Sequence, residues 1–277
     1  MDLYTYSPII DRPTLTWPNG ARVAFYVGLN VEHFLPGKPS TSIWPGTSTL
    51  VPDPLNHGWR DYGTRVGIWR MMDALDRHGV RASVLLNSMV PAEYPQIIEA
   101  GRARDWAWLA HGRTNSVLHN GFTLEEERAE LTGIVETITS AVGHRPSGWM
   151  GPGLTETPNT PELLAELGLT YVLDWTNDDQ PYPLNVPGML SMPYTVELND
   201  LMLKVPGPEF VRMVRDQYEV LSAEGGRVMS LALHPFVTGQ AFRAKYFDQA
   251  LEFLAAQPDV WLTTTDEIAE HYLRTQP

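Results

Sequence analysis

The chain alternates short apolar runs with longer segments in which apolar residues recur at helical spacing. The apolar runs predict strands over residues 22–29, 81–86, 106–110, 148–150, 170–173, 227–233 and 260–263. The helical spacing predicts helices over residues 62–78, 93–101, 123–142, 159–167, 207–223, 241–256 and 266–273. The stretch 30–63 is rich in Pro, Gly, Ser and Thr and has no helical period, so we expect a long functional loop or lid there.

Strands and helices that alternate about seven times are typical of a parallel sheet with helices packed outside it. At this length the pattern favours one (β/α) barrel of about seven strands in a single domain, residues 1–277, because no linker interrupts it. A doubly wound open sheet is the alternative. It is less favoured because the turn at 28–32, after the first strand, is not the glycine-rich turn that binds dinucleotides.

The 277 residues carry 33 Asp plus Glu against 20 Lys plus Arg, a formal net charge of -13. Such a charge repels phosphate backbones and anionic membrane surfaces, so we expect neither a nucleic-acid partner nor a membrane partner. The chain has no cysteine, so a bound metal would need His and carboxylate ligands. No basic segment followed by an apolar run opens the chain, and no stretch approaches a membrane span, which predicts a soluble, cytoplasmic protein.

In a barrel of this kind, functional groups lie at the carboxyl ends of the strands. Polar residues that would meet at one mouth follow five of the predicted strands: Asn30, Glu32 and His33; His111, Arg113, Thr114 and Asn115; residues 151–155; Asp174, Asn177, Asp178 and Asp179; and His234. Each has an ordinary structural explanation, such as a core histidine or a turn-forming cluster of Asp and Asn. An acid or a histidine at four separate strand ends nevertheless favours a catalytic site.

Four segments carry a specific resemblance to known proteins: Arg60-Asp-Tyr-Gly-Thr-Arg-Val-Gly-Ile-Trp-Arg70, Ala110-His-Gly-Arg-Thr-Asn115, Asp174-Trp-Thr-Asn-Asp-Asp-Gln-Pro-Tyr182 and Leu233-His-Pro235. They occur in the order found in the polysaccharide deacetylase superfamily, and the likeness covers residues 20–273. The chain most resembles the branch of peptidoglycan-deacetylase-like proteins, cyclic imide hydrolases and allantoinases, with the Tyr-Gly-x-Arg-x-Gly-x-Trp-Arg string as its distinctive marker. The resemblance implies a distorted (β/α) barrel that hydrolyses an N-acetyl amide or a cyclic amide, often as a homotetramer.

The metal-binding pattern of that superfamily is incomplete in this sequence. Metal-dependent members carry two acidic residues after the first strand and a His-x-x-x-His pair, and the corresponding residues here are Asn30, Glu32, His111 and Asn115. An amide cannot act as a carboxylate base and is a poor zinc ligand. Two alternatives follow. Either Glu32, His111 and Asn115 hold one weakly bound divalent ion, zinc first, with His119 as a substitute ligand, or the protein works without metal, as the allantoinase-like relatives are regarded as doing.

Hydrolysis of an amide needs a base, an electrophile and an acid around one carbon. Glu32 is the candidate base or metal ligand. The resemblance implies that His234 is the general acid, and His111 would bind metal or polarise the carbonyl as an imidazolium. We expect Asp178 and Asp179 to orient the substrate or His234, because carboxylates accept N–H donors from an imide, ureide or acetamido group.

A second set of residues is expected to bind substrate: Asn30, Arg65, Asn115, Trp149 and Trp175. Arg65 would reach the mouth to bind a carboxylate, against the default interpretation of a surface ion pair. The two tryptophans would stack a ring or a sugar face, against the commoner role of core packing. Backbone N–H groups of residues 150–153 would stabilise the oxyanion.

The leading interpretation is therefore an intracellular hydrolase of a non-peptide carbon–nitrogen bond in a small amide, imide, ureide or N-acetylated substrate. The alternative is a catalytically degraded family member that binds a sugar or small ligand without turning it over. Asn30 and Asn115 are the evidence for that alternative, and the retention of Glu32, His111 and His234 is the evidence against it.

Overall fold

The computed structural model of the chain describes residues 3–276. Its strands are β1 (Val23–Val31), β2 (Ala82–Leu86), β3 (Ala107–Ala110), β4 (Gly148–Trp149), β5 (Tyr171–Val172), β6 (Tyr182–Pro183), β7 (Leu190–Ser191), β8 (Arg227–Leu233) and β9 (Val260–Leu262). All seven predicted strands are present, with ends that agree within two residues. The strands β6 and β7 have two residues each, too few to leave an alternating pattern in the sequence.

The helices are α1 (Pro54–Tyr62), α2 (Ile68–Arg77), α3 (Val90–Glu93), α4 (Pro95–Arg102), α5 (Leu124–Val142), α6 (Thr160–Glu166), α7 (Gly207–Glu224), α8 (Ala241–Ala255) and α9 (Thr265–Thr275). Helix α5 has the expected capping box of Thr123 and Glu126, and ends at Gly143 with a φ of 93°. Among residues 3–276, no helix is long and apolar enough to cross a membrane.

The helix predicted to begin at Tyr62 begins eight residues earlier. Asp53 caps α1 by accepting a hydrogen bond from Asn56 N, and Pro54 occupies the first turn. A π-helical turn over Gly63–Gly67 then joins α1 to α2. The predicted loop over 30–63 is therefore shorter than expected, and its last third is a helix.

The sheet has the strand order β6-β7-β5-β4-β3-β2-β1-β8, with β9 pairing the first residues of β1. Every pairing is parallel except β6 with β7. The fold is thus an α/β fold in which a curled mixed sheet forms a half-barrel, which confirms the expected distorted (β/α) barrel. Beyond β7 the chain runs along the free edge of β8, where Thr195 N and Ser230 N each bond the other residue's hydroxyl and Asp200 N donates to Ala232 O.

Side chains of β1 alternate between two cores. Those of Phe25, Val27 and Leu29 belong to the large cluster between sheet and helices, whereas Ala24 and Tyr26 belong to a second cluster inside the curl. By the same alternation, the side chains of Asn30 and Glu32 face the inside of the curl, as those of Ala24 and Tyr26 do. The same alternation, applied to β3 and β8, turns His111 and His234 inward at the carboxyl ends of their strands.

Candidate active site

Glu32, His111 and His234 come from the ends of three different strands and meet inside the curl of the sheet. Glu32 Oε1 lies 3.4 Å from His111 Nε2 and 3.6 Å from His234 Nε2. All three side chains are buried. The structure therefore brings together three residues that the sequence places after separate strands, because β1, β3 and β8 are parallel and their carboxyl ends share one edge.

The remaining ring nitrogens fix how the two histidines are oriented. His111 Nδ1 donates to the backbone oxygen of Met150 at 2.7 Å, since a carbonyl can only accept. His234 Nδ1 lies 2.7 Å from Asp200 Oδ1 and donates to it. Both rings consequently present Nε2 to Glu32, and any proton exchanged with Glu32 or a substrate passes through Nε2.

Asp200 is a positioning residue that the sequence did not reveal. Its oxygens accept from His234 Nδ1, from His234 N at 3.0 Å and from Thr238 Oγ1 at 2.6 Å. The segment that carries Asp200 has no hydrophobic period, and only its pairing with the edge of β8 brings it beside His234. Asp200 occupies the place at His234 that we expected Asp178 or Asp179 to fill.

The two oxygens of Glu32 have different surroundings. Oε1 faces both histidines and accepts a hydrogen bond from Asn115 Nδ2, whereas Oε2 is buried and has no hydrogen-bond partner among the described residues. Burial alone raises the pKa of Glu32, but the charge of His234 and hydrogen bonds from His111 and His234 outweigh it and lower that pKa. Glu32 is therefore a carboxylate at neutral pH with one oxygen available.

The charge of His234 follows from the same contacts. Burial lowers the pKa of His234, but the negative charges of Glu32 and Asp200, with their hydrogen bonds, raise it above its ordinary value. His234 is thus an imidazolium that holds a proton on Nε2, next to a carboxylate. The site therefore holds a proton donor, His234, next to a proton acceptor, Glu32.

Asn87 determines the orientation of Asn115. Asn87 Oδ1 accepts from the backbone N–H groups of His33 at 2.8 Å and Asn115 at 3.1 Å, so Asn87 Nδ2 must be the donor atom. Asn87 Nδ2 donates to Asn115 Oδ1 at 3.2 Å and to His111 O. The amide of Asn115 is therefore turned with its oxygen towards Asn87 and its N–H towards Glu32.

Residues of the marker string, 62–70, contact the loop that follows His234. A Cβ on Gly63 would lie 2.8 Å from Phe236 N, and a Cβ on Gly67 would lie 2.0 Å from Pro235 O. Arg70 Nη1 bonds Gly239 O and Tyr62 Oη. The glycines of the π-helical turn thus permit direct backbone contact with the segment that follows His234. Turns of this kind are frequent near functional sites.

A small cavity of about 10 Å³ lies over Glu32. It is lined by Glu32, Phe34, His57, Arg60, Asp61, Thr64 and Tyr94. Phe34, Trp59 and Phe236 pack edge to face above the site, with ring centroids 5.8 Å and 4.8 Å apart. Helix α1 and the loop before it therefore cover the mouth, as expected for a lid.

Comparison with known proteins shows which family the chain resembles. A family model described as polysaccharide deacetylase matches residues 60–172, which include the marker string and His111. A Schizosaccharomyces pombe protein that carries the polysaccharide deacetylase name is 24% identical over 308 residues, covering 98% of this chain and 95% of that protein. The chain is thus similar to the polysaccharide deacetylase family, in the family model over residues 60–172 and in one relative over nearly its whole length. The resemblance seen in the sequence is confirmed.

Two solved structures show how much of the chain shares a known fold. One from Pseudomonas aeruginosa, assigned to the polysaccharide deacetylases, has a TM-score of 0.86 and 24% identity, covering 96% of each chain. The allantoinase PuuE has a TM-score of 0.83 and 26% identity, covering 94% of this chain and 93% of that chain. The fold thus extends over nearly the whole chain, beyond the range that the family model matches.

The metal site expected from the sequence can be compared with the donor atoms that the structure places there. A metal ion on Glu32, His111 and Asn115 would need the amide oxygen of Asn115, which instead bonds Asn87. Among residues 3–276, no group of three or more His, Asp or Glu side chains is arranged to hold a metal ion. The residues present therefore do not fit a zinc site.

His119 does not complete a metal site. It is 0% exposed, packs against Trp149 and Phe122 with ring centroids 5.3 Å and 5.1 Å away, and has no hydrogen-bond partner on either ring nitrogen among the described residues. Burial, with smaller contributions from His111 and Arg113, lowers the pKa of His119 to about 4. His119 packs against Trp149, which belongs to the cluster between sheet and helices, whereas His111 Nε2 faces Glu32.

The structure does not bring Asp178 and Asp179 to the site. Arg12 Nη2 binds both oxygens of Asp178, at 3.0 Å and 2.7 Å. Asp179 O accepts from Val228 N at 2.8 Å, and Val228 precedes His234 by six residues, about 20 Å along an extended strand. Both acids therefore lie at the amino end of β8, opposite to the site.

Three further residues expected at the mouth lie elsewhere. Arg65 is 73% exposed and lies 3.5 Å from Asp61 in a surface ion pair. Trp149 is buried between sheet and helices, and Trp175 packs on Tyr4 and donates to Glu156. None of the three lines the cavity over Glu32.

Asn30, which we expected to bind substrate, lies on the floor of the site. Asn30 Nδ2 donates to Leu233 O at 3.1 Å, and its Oδ1 is buried with no partner among the described residues. Two of the expected oxyanion donors are occupied, because Met150 N bonds Ala110 O and Gly151 N bonds Asp174 Oδ1 at 2.8 Å.

Proposed function

We propose that the protein hydrolyses a non-peptide carbon–nitrogen bond, with Glu32 as general base and His234 as general acid. The observation that carries the proposal is the buried contact between a carboxylate with one free oxygen and an imidazolium with a proton on Nε2. Asp200 cannot replace Glu32 as base because both of its oxygens accept hydrogen bonds. The likeness to an allantoinase over most of the chain supports this class of reaction.

The proposed steps balance within the pair. Glu32 Oε2 takes a proton from water while the water oxygen bonds the carbonyl carbon of the substrate. The carbon–nitrogen bond then breaks, and the leaving nitrogen keeps the electron pair and takes the proton from His234 Nε2. The proton on Glu32 then returns to His234 Nε2, which restores both groups for the next turnover.

We propose that these steps proceed without metal. The orientation of Asn115 supports this choice, because its N–H faces Glu32 where a ligand oxygen would be needed. His111, which is anchored by Nδ1 on Met150 O, presents Nε2 as a hydrogen-bonding group for the carbonyl or its oxyanion. Asn115 and Asp200 then act as positioning residues for Glu32 and His234.

The proposed substrate is a small amide, imide or ureide. The cavity of about 10 Å³ has room for about one water-sized group, so α1 and the preceding loop must move to admit any substrate. A lid that must close over the reacting group favours a small molecule over a polymer. The homotetramer and the cytoplasmic location remain predictions from the sequence.

The proposal is tested by a hydrolysis screen on hydantoin, allantoin, succinimide and an N-acetylated sugar, with wild type, Glu32→Gln and His234→Asn. We expect turnover of at least one compound by wild type and loss of that turnover in both variants. Binding without turnover of any compound would contradict the proposal and favour the alternative of a non-hydrolytic member.

A further inference from the structure

Arg60 brings a buried guanidinium to the same cavity as Glu32. It lies on α1, is 5% exposed, and donates through Nη1 to Thr41 O at 2.6 Å. Its Nε is buried and has no acceptor among the described residues. Within the part of the chain that the structure describes, no carboxylate oxygen lies within 4.0 Å of this guanidinium.

A buried cation without a contacting anion is rare because desolvation is costly. Burial lowers the pKa of Arg60, and the charge of Asp53 offsets this only in part. The carboxylate of Asp53 is occupied by Asn56, which donates to it through N and Nδ2 at 3.3 Å and 2.7 Å. Arg60 is therefore a charged group whose direct counter-ion is not supplied by the described chain.

His57 places a second nitrogen in the same cavity. It lies three residues before Arg60 on α1, so both side chains project from one face of the helix. His57 Nδ1 is buried without a hydrogen-bond partner among the described residues. The Phe34 and Tyr94 rings line the cavity beside the two nitrogens, together with the polar side chains of Glu32, Asp61 and Thr64. The Arg60 guanidinium lies 5.0 Å from the centre of the Phe34 ring.

We propose that Arg60 and His57 bind a carboxylate of the substrate, so that the substrate class is a carboxylate-bearing amide, imide or ureide. This inference rests on the proposed function. A neutral carbonyl would accept a hydrogen bond from Arg60 but would leave its buried charge uncompensated, whereas a carboxylate supplies both an acceptor and the charge. The carboxylate fixes one end of the substrate while the scissile carbon faces Glu32 Oε2.

The test compares substrates that differ only in this charge: hydantoin-5-acetate with hydantoin-5-acetamide, and N-acetylglycine with N-acetylglycinamide. The proteins are wild type, Arg60→Gln, Arg60→Lys and Arg65→Gln, where Arg65 is an exposed arginine outside the site. We expect wild type to prefer a carboxylate by about tenfold or more in kcat/KM. Arg60→Gln should abolish the preference, Arg60→Lys should keep part of it, and Arg65→Gln should keep all of it.

Equal kcat/KM for carboxylate and carboxamide in wild type would overturn the inference, and so would an equal loss for both in Arg60→Gln. If Arg60→Gln does not fold, the wild-type preference and Arg60→Lys decide the question. If wild type hydrolyses none of the compounds, the proposed function fails for them, and calorimetric binding decides the subsite separately. Binding that is tighter for a carboxylate in wild type and lost in Arg60→Gln supports the subsite, whereas no binding or equal binding overturns it.

Discussion

The two ends of the half-barrel each hold acidic residues, and their contacts separate the carboxylate that we propose as the base from one that is held in an ion pair. At the carboxyl end, Glu32 is buried between two imidazoles with Oε2 free. At the amino end, both oxygens of Asp178 are bound by one guanidinium. Each acid has a cationic neighbour, but only Glu32 keeps an oxygen that can accept a proton from water.

The comparison of the two ends also shows why an acidic residue near a predicted strand end is, by itself, weak evidence for a place in the active site. Strand β5 has only two residues, and the chain that follows it reaches the amino end of β8 by Asp179. The position of Glu32 is instead fixed by nine buried residues of β1. A residue directly after a long strand is therefore placed more reliably than one several residues beyond a short strand.

The largest expected effect is at Glu32. Glu32→Gln removes the base but keeps the size of the side chain, so kcat should fall about 1000-fold. Asp178→Asn is the matched control at the other end and should leave kcat within about threefold. Steady-state kinetics on the best substrate of the screen measure both. Comparable losses in the two variants would contradict the distinction between the two ends.

A smaller effect is expected at Asp200. Asp200→Asn removes one of the two negative charges that raise the pKa of His234, so that pKa should fall. We expect kcat/KM to fall about 100-fold and its alkaline limb to move to lower pH, because His234 then loses its proton earlier. A pH profile checks this. A reduced rate with an unmoved alkaline limb would show that Asp200 acts by another route.

The packing of the lid against the loop after His234 is tested at Gly67. A Cβ there would meet Pro235 O, so Gly67→Ala should destabilise the fold by about 2 kcal/mol and lower kcat about tenfold. Gly133→Ala is the matched control, since Gly133 lies in α5 with nothing within 4 Å of the added Cβ. Unfolding curves should show the control unchanged or slightly stabilised. Normal stability and activity of Gly67→Ala would refute the close contact.

The smallest effect is expected at the amino end. Arg12→Gln breaks the ion pair with Asp178. Both side chains of this pair are about one-sixth exposed, so its loss should lower the free energy of unfolding by about 1 kcal/mol. Activity should not change. Denaturant unfolding and kinetics on the same preparation check this, and a loss of activity above about threefold would mean that this end contributes to the site.

The strands and the meeting of Glu32, His111 and His234 could be predicted because long apolar runs and parallel pairing determine where strand ends meet. Asn87 follows β2 directly, and the same rule would have included it. Asp53 and Pro54 are a recognisable helix start, and with them the spacing of His57 and Arg60 would have pointed to one helix face. Asp200 had no such signal, because it lies in irregular chain that is placed only by its contact with β8.

The outward position of Trp149 could not be predicted either. Strand β4 has two residues, so the sequence gives no alternation from which to decide which side chain faces the inside of the curl. The orientation of the Asn115 amide depends on Asn87, a contact between two loops. Such details depend on tertiary contacts and not on local pattern.

The central claim is that the Glu32 and His234 pair hydrolyses its substrate without a metal ion. The most direct measurement is kcat/KM of wild-type protein stripped of metal by a chelator and then titrated with zinc. We predict that the stripped protein keeps its activity within about twofold and that zinc does not raise it. Loss of activity on stripping, with recovery at one zinc per chain, would contradict the account.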